Sequence, residues 1–381
     1  MKNNRVLVCL TYYLPNISGV TIYADWLAKA LKRDGYKVTL LTSRFDAKTK
    51  KVEIKDGIKI IRSKVVLKLG KGVVMPNYLI DSFRTVIKND VVNCHLPQLE
   101  SVVVALWAKI FRKKLIVTHH CQFSFDGNWQ NKVIAVISFP FHLVTYWLAD
   151  KIVAYTKDYA EKAFFLKIFR KKIVYILPPI RRERKNKQII KDLKLRVGYE
   201  PGMKIIAYVG RISWEKGLEI LIKAAEKIQK KRKIKLVLGG PDKNVVGDKS
   251  MGKLQPLMGK YKKWIVALGP ISEMKILSNF YRLVDCLVLP STNNLETFGL
   301  VQAEAMVVGC PVVASDLPGV RIPVRLTGMG EIAKVGDRKD LAEKINMVLE
   351  KKPSKDKVKR AREIFDNKET LKEYENIFKM G

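Results

Sequence analysis

The chain has little of what most site chemistries require. Its five cysteines (Cys9, Cys94, Cys121, Cys286, Cys310) are scattered, with no Cys-x-x-Cys pair. That pattern argues against a thiolate metal cluster and for buried free thiols in a reducing compartment. The four histidines (His95, His119, His120, His142) lack zinc spacing, and no Asp-x-Asp pair offers itself to a metal-bridged diphosphate. The first candidate strand-to-helix turn, TYYLPNISGVT from Thr11 to Thr21, has no Gly-x-Gly-x-x-Gly, which disfavours a dinucleotide oxidoreductase. Long apolar runs are also wanting. VIAVISFPFHLVTYWL, Val133 to Leu148, is the most hydrophobic stretch, but it is short for a membrane span and contains Pro140 and His142. A buried or interfacial helix is expected there. The apolar run from Arg5 to Leu10 is too brief for a signal peptide, and no small-residue cleavage site follows Tyr12, Pro15 and Asn16. A first β-strand is the expectation.

Acidic residues are scarce: 36 Asp and Glu stand against 72 Lys and Arg, a formal net charge of +36. Such a charge draws anions, whether nucleic acid, anionic lipid or phosphorylated substrate. A general lysine bias would explain the total but not its unevenness. Between Glu161 and Arg196 there are thirteen Lys or Arg and three Asp or Glu. There Phe164, Phe165, Leu166, Ile168 and Phe169 interleave with Lys162, Lys167, Arg170, Lys171 and Lys172. This reads as a membrane-surface element as readily as a nucleic-acid one.

What is present is an alternation. Hydrophobic content of 48% in 381 residues suits large cores and two domains. Apolar strand-like runs are predicted at 5–10, 37–42, 58–62, 91–95, 115–118, 152–155 and 173–177. An amphipathic helix between the first two carries Ala24, Leu27, Ala28 and Leu31 on one face and ends at Gly35. The scheme repeats at 204–209, 235–238, 264–268, 286–289 and 311–315, and implies doubly wound parallel sheets. The stretch from Pro178 to Gly202 opens Pro-Pro, turns highly charged and marks the boundary.

Two segments carry chemistry. In PSTNNLETFGLVQAEAMVVGCPVVASD, Pro290 to Asp316, a strand opens into a polar loop and a helix is predicted from about Phe298 and Gly299 through Met306. Glu296 lies before that helix and Glu304 within it. Unpaired first-turn amides favour an anion, and carboxylates on either side can accept from sugar and ribose hydroxyls. The plainer reading makes Glu296 a solvated loop residue and Glu304 a surface one. In the second segment, MKIIAYVGRISWEKGLEILIKAAEKI, a strand ends at Val209, Gly210 and Arg211 form the turn, and Lys216 and Gly217 open a helix. A capped turn with exposed charges is the simple alternative. Lys216 is the informative residue, because a cation near a helix start opposes the dipole unless an anion sits there.

Together these segments resemble the retaining GT-B-fold glycosyltransferases (glycosyltransferase group 1, family 4-like), through Gly210, Arg211, Lys216 and Gly217 and through Glu296 and Glu304. The likeness spans nearly the whole chain and is strongest from 203 to 320. It implies an α/β fold of two Rossmann-like domains facing a cleft, with a C-terminal helix crossing back to the N-terminal domain. The expected division is 1–180 for acceptor binding, 181–355 for nucleotide-sugar binding and 356–381 as a helical tail on the N-terminal domain. The resemblance further implies that the backbone of Thr297, Phe298, Gly299 and Leu300 holds phosphate, and that Pro270 and Ile271 hold the base. In the first loop the family's Gly-Gly pair is Ser18-Gly19 here, so only Gly19 carries over; a plain helix-entry role is the alternative. Of the histidines after strands, His120 aligns best with one that touches the donor sugar or phosphate. His119 is a close rival, and a hydrogen-bonded strand-end histidine is the other reading. An aspartate often found two residues later is Gln122.

The implied activity is a metal-independent, retaining hexosyl transfer from a UDP-, GDP- or ADP-sugar to an acceptor hydroxyl, with no cofactor. Arg211 and Lys216 would stabilise the leaving diphosphate, Glu296 would hold the sugar and Glu304 the ribose. The leaving phosphate oxygen would take the acceptor proton, and domain closure would exclude water. The expected acceptor is a glycan or glycolipid of the cell envelope. The expected setting is cytoplasmic, with peripheral attachment to an anionic inner membrane face left open. Aromatic residues Phe123, Phe125, Trp129, Phe139, Phe141 and Trp147 and the basic stretch 164–172 suggest that attachment; core packing with solvated lysines explains them as well. The competing readings are a GT-B-fold nucleotide-sugar 2-epimerase and a basic nucleic-acid-binding protein, of which the second leaves both motifs unexplained.

Overall fold

The computed structural model describes residues 5–69, 72–122, 129–180, 182–213, 216–240 and 250–379. It divides into two compact units, Met1–Pro179 with Asn367–Gly381, and Ile180–Asp366. Phe123 and Phe125, and the side chain of Trp129, lie outside the described residues.

The first unit is built on an eight-stranded sheet. Its order is Ile173–Tyr175, Lys151–Ala154, Lys114–His119, Val91–Leu96, Arg5–Cys9, Lys37–Arg44, Ile58–Lys64 and Val52–Lys55. All neighbours pair in parallel except the last, an antiparallel hairpin. Strand Val91–Leu96 is buried at every position, as a strand covered on both faces must be, and so it reads as a continuous apolar run. The edge strand Val52–Lys55 has no buried position and went unnoticed in the sequence for that reason.

The helix Gly19–Arg33 follows the first strand. Ser18 caps it by accepting from the Thr21 amide at 3.2 Å, and Ala24, Leu27, Ala28 and Leu31 are buried. The C-terminal helix Asn367–Lys379 belongs to this unit. Tyr374 reaches the Tyr23 hydroxyl at 2.8 Å, Phe378 meets the Tyr36 ring at 6.1 Å, and the Thr370 hydroxyl donates to the Leu177 carbonyl at 3.0 Å. The preceding helix, Lys355–Ile364, packs in the second unit, where Arg362 donates to the Val307 carbonyl at 2.9 Å and Phe365 meets Phe298. The chain thus changes units after Asp366 rather than at residue 356.

The second unit holds a six-stranded parallel sheet in the order Ile265–Gly269, Ile234–Gly239, Lys204–Val209, Cys286–Leu289, Val312–Ser315 and Gly330–Ala333. The edge strand Gly330–Ala333 has one fully buried position and no apolar run. Helix Leu218–Gln229 lays Leu221, Ile222, Ala224, Ala225 and Ile228 on this sheet. No helix among the described residues is long and apolar enough to cross a membrane.

Candidate functional site

In an open α/β sheet, ligands collect where neighbouring strands run out to opposite sides, because the loops leaving their carboxyl ends diverge and open a crevice. In the second unit that point lies between Lys204–Val209 and Cys286–Leu289. The two motifs found in the sequence are the loops that leave these two strands.

Glycine lets those loops touch. Gly217 has φ +66°, and a β-carbon there would lie 2.0 Å from the Pro290 carbonyl oxygen. Gly240, after the next strand, sits so close to the first loop that a β-carbon would lie 1.8 Å from the Gly210 oxygen. The backbone is tied across the strand ends, Gly210 N–H donating to Gly239 at 2.9 Å and Gly240 N–H to Gly269 at 2.9 Å. Tyr208 donates its hydroxyl to the Arg211 carbonyl at 2.6 Å and fixes the turn.

The consequence is a contact between residues eighty positions apart. Lys216 Nζ lies 2.5 Å from Glu296 Oε2, with the two side chains only 14% and 19% exposed. The anion that offsets Lys216 at its helix start is therefore the Glu296 carboxylate. Arg211 is exposed at the turn.

Gly299 is the N-cap of helix Leu300–Met306, with φ +75°. The helix is only seven residues long, so local amides set the field at its start more than a summed dipole. Thr297, Phe298 and Gly299 are buried. The Phe298 ring meets Phe365 edge-on at 6.1 Å, which leaves its backbone, not its side chain, for any ligand. Gln302 locks the loop by donating to the Phe298 and Val320 carbonyls at 2.8 and 2.9 Å.

Glu304 is buried rather than on the surface, and Tyr281 donates to its Oε2 at 3.0 Å. Burial pushes its carboxyl up to about 7, against the smaller opposing pull of Tyr281. Pro270 is exposed and Ile271 half-buried just past strand Ile265–Gly269; Ile271 Cδ1 packs beside Gly239. Gly239-Gly240 and Tyr281 were missed in the sequence. Paired glycines at a strand end were the available signal for the first, and nothing local signals Tyr281.

In the first unit the divergence point falls between Arg5–Cys9 and Val91–Leu96. Gly19 opens the helix after the former and is exposed at that end. Glu100, after the latter, went unremarked in the sequence; burial raises its carboxyl to about 7. His120 is buried in the same unit. Its ring is 5% exposed, its Nδ1 pairs with the Tyr155 hydroxyl, and its Nε2 lies 2.8 Å from His95 Nδ1. Tyr23 meets both rings edge-on. Burial, then the neighbouring His95 and His119, holds its pKa well below the ordinary value. Both ring nitrogens of His120 thus have partners inside the first unit. The rival His119 is buried too, its Nδ1 paired with the Tyr146 hydroxyl.

Comparison with known proteins agrees with this architecture. The model of glycosyl transferases group 1 matches residues 192–364, and that of Glycosyltransferase Family 4 matches residues 17–184. D-inositol 3-phosphate glycosyltransferase of Mycolicibacterium smegmatis is 33% identical over 158 residues, 41% of this chain and 35% of that protein. An uncharacterised glycosyltransferase of Methanocaldococcus jannaschii is 34% identical over 131 residues, 34% of this chain and 31% of that protein. The matched segments span about a third of the length of these curated relatives. Among solved structures, sucrose-phosphate synthase of Thermosynechococcus elongatus superposes with a TM-score of 0.76 at 18% identity, covering 98% of both chains. Anabaena HepE in complex with UDP and glucose does so with a TM-score of 0.73 at 17% identity, again over 98% of both. At such identities the likeness establishes the fold. With the two family models matching one unit each, the chain belongs to the group 1 glycosyltransferase family and has its two-domain, Rossmann-like GT-B fold.

Proposed function

We propose that the chain is a retaining glycosyltransferase that moves a sugar from a nucleoside-diphosphate sugar to a hydroxyl of a glycan or glycolipid. The contact of Lys216 with Glu296 carries this reading. A sugar nucleotide needs a cation for its diphosphate and, close by across the anomeric carbon, an acceptor of hydrogen bonds from its sugar hydroxyls. An ammonium and a carboxylate in contact at a sheet's divergence point match that demand in charge and spacing. Family membership and the likeness to HepE, solved in complex with UDP and glucose, support the same donor class.

In this reading the diphosphate displaces Glu296 from Lys216 and takes its place, with Arg211 and the amides of Thr297 to Leu300 completing the cradle. Glu296, released, accepts from sugar hydroxyls, and Glu304 accepts from the ribose. Pro270 and Ile271 flank the base, and Gly210 leaves room for the phosphates. As the glycosidic bond breaks, positive charge grows on the sugar and negative charge on the leaving diphosphate; Lys216 and Arg211 meet the latter. The acceptor oxygen attacks on the face the diphosphate leaves, and its proton goes to a diphosphate oxygen, so the anomeric configuration is kept. Neither a metal nor a separate base is called for in this scheme.

The test is release of nucleoside diphosphate from UDP-, GDP- and ADP-sugars, with and without glycolipid extract. Lys216→Ala and Glu296→Ala should each lower turnover by roughly 100-fold or more, with unchanged circular dichroism. Near wild-type turnover in either variant overturns the site. Turnover of donor to an isomeric sugar nucleotide without acceptor would replace transfer by epimerisation.

A further inference from the structure

The helix Trp129–Leu148 in the first unit is apolar on its outward face as well as its inward one. Inward, Tyr146 is buried and Phe139 and Leu143 pack against the core, beside hydrogen-bonded polar side chains. His142 Nδ1–H donates to the Ser138 carbonyl at 2.7 Å while its Nε2 accepts from the Gln98 amide at 3.2 Å, and Thr145 meets the Ser101 hydroxyl at 3.0 Å. Burial holds His142 neutral, its pKa down to about 4. The outward face carries Val133, Val136, Ile137, Phe141, Val144 and Trp147, between 37% and 66% exposed. These positions recur at helical spacing, with no charged residue among them. Contiguous apolar exposure of this kind marks an interaction surface.

The stripe continues onto a second element. Helix Phe164–Ile168 is held against it by Phe139, whose ring lies 5.5 Å from Phe164 and 5.0 Å from Phe165, and by Tyr146, stacked on Phe165 at 5.1 Å. Phe164 and Ile168 remain about half exposed beside it. From Lys162 to Lys172 the chain has five cations and no acid. At the far end, Trp147 opens into a recess of about 420 Å³ lined with Lys109, Asp150 and Lys172. Asp150 pairs with Lys109. Lys172 donates to the backbone carbonyls of Trp147 and Ala149 and lies over the Phe169 ring at 5.8 Å.

We propose that this face docks the protein on the surface of an anionic lipid bilayer, with the Val133–Trp147 stripe entering the interfacial layer and the 162–172 cations meeting the lipid phosphates. The charge selects the occupant. A second copy of this chain would bring the same cations against themselves in a molecule of net charge +36. A bilayer of acidic phospholipid offers both an apolar layer and the opposite charge. The helix is pinned to the unit by its inward face and lies along the membrane rather than across it. The inference is independent of sugar transfer, since its readout is binding.

The experiment is flotation of the full chain with phosphatidylcholine vesicles and with vesicles of phosphatidylcholine and phosphatidylglycerol, at low and high salt. Wild type should float with the anionic vesicles only, and less at high salt. Ile137→Glu, at an exposed position that should not disturb folding, should weaken binding at least about tenfold. Lys167→Glu with Lys171→Glu should do the same by charge. The proposal is overturned if wild type stays in solution with anionic vesicles, if Ile137→Glu floats like wild type while circular dichroism shows both folded, or if the face instead forms a lipid-free dimer that Ile137→Glu dissolves.

Discussion

Glu304 is a carboxyl that accepts a hydrogen bond from Tyr281, in a buried position on a short helix. Its ordinary pKa of 4.5 is raised to about 7 by burial. In the unfolded chain the group loses its proton near 4.5, in the folded chain near 7, so between these values the folded state holds more protons. Stability contributed by this residue is therefore greatest below pH 4.5 and falls as pH rises to 7, by on the order of 3 kcal/mol. Urea denaturation at pH 5 and pH 8 should show that Glu304→Gln removes this part of the slope, gaining on wild type as pH rises. An equal slope in both proteins would place the carboxyl in a wetter site. Residue identity led to Glu304, Glu296 and Lys216 because their types and spacing are unusual in loops and at helix starts. It conveyed nothing of the surroundings of His120. A strand-end histidine is open or covered according to what lies over it, and here Tyr23 of the first helix meets the His120 ring edge-on and Tyr155, 35 residues further on, pairs with its Nδ1. No local pattern conveys that.

Among the elements, the parallel strands of both units were legible because strands covered on both sides must be apolar throughout. The two edge strands Val52–Lys55 and Gly330–Ala333 lack that signature and were not. The loops that make the site depend on close backbone approach, which sequence shows only as glycine. Gly217→Ala would combine a left-handed backbone with a β-carbon 2.0 Å from the Pro290 oxygen. It should cost about 2 kcal/mol or more in stability and part Lys216 from Glu296, lowering donor binding as well. Gly202→Ala, also at positive φ but with open space around it, should lose stability without losing donor binding. Thermal unfolding and calorimetric titration with a sugar nucleotide separate the two effects; equal donor affinity in both variants would detach the loop contact from the site.

Across the molecule, two units of one plan each carry a strand-divergence point, and the conspicuous charged contact is in the second. The excess of cations is shared by both units, but a local cluster at 162–172 accompanies an outward apolar stripe on the first unit, while the candidate donor site uses a cation already matched by a carboxylate. Charge in bulk therefore said little about chemistry, and two short motifs said much. The most direct test of the central claim is a crystal structure of the chain grown with UDP-glucose. The account predicts diphosphate oxygens within about 3 Å of Lys216 Nζ, with Glu296 turned from the lysine onto sugar hydroxyls. A sugar nucleotide bound elsewhere, with the Lys216–Glu296 pair intact, would contradict it.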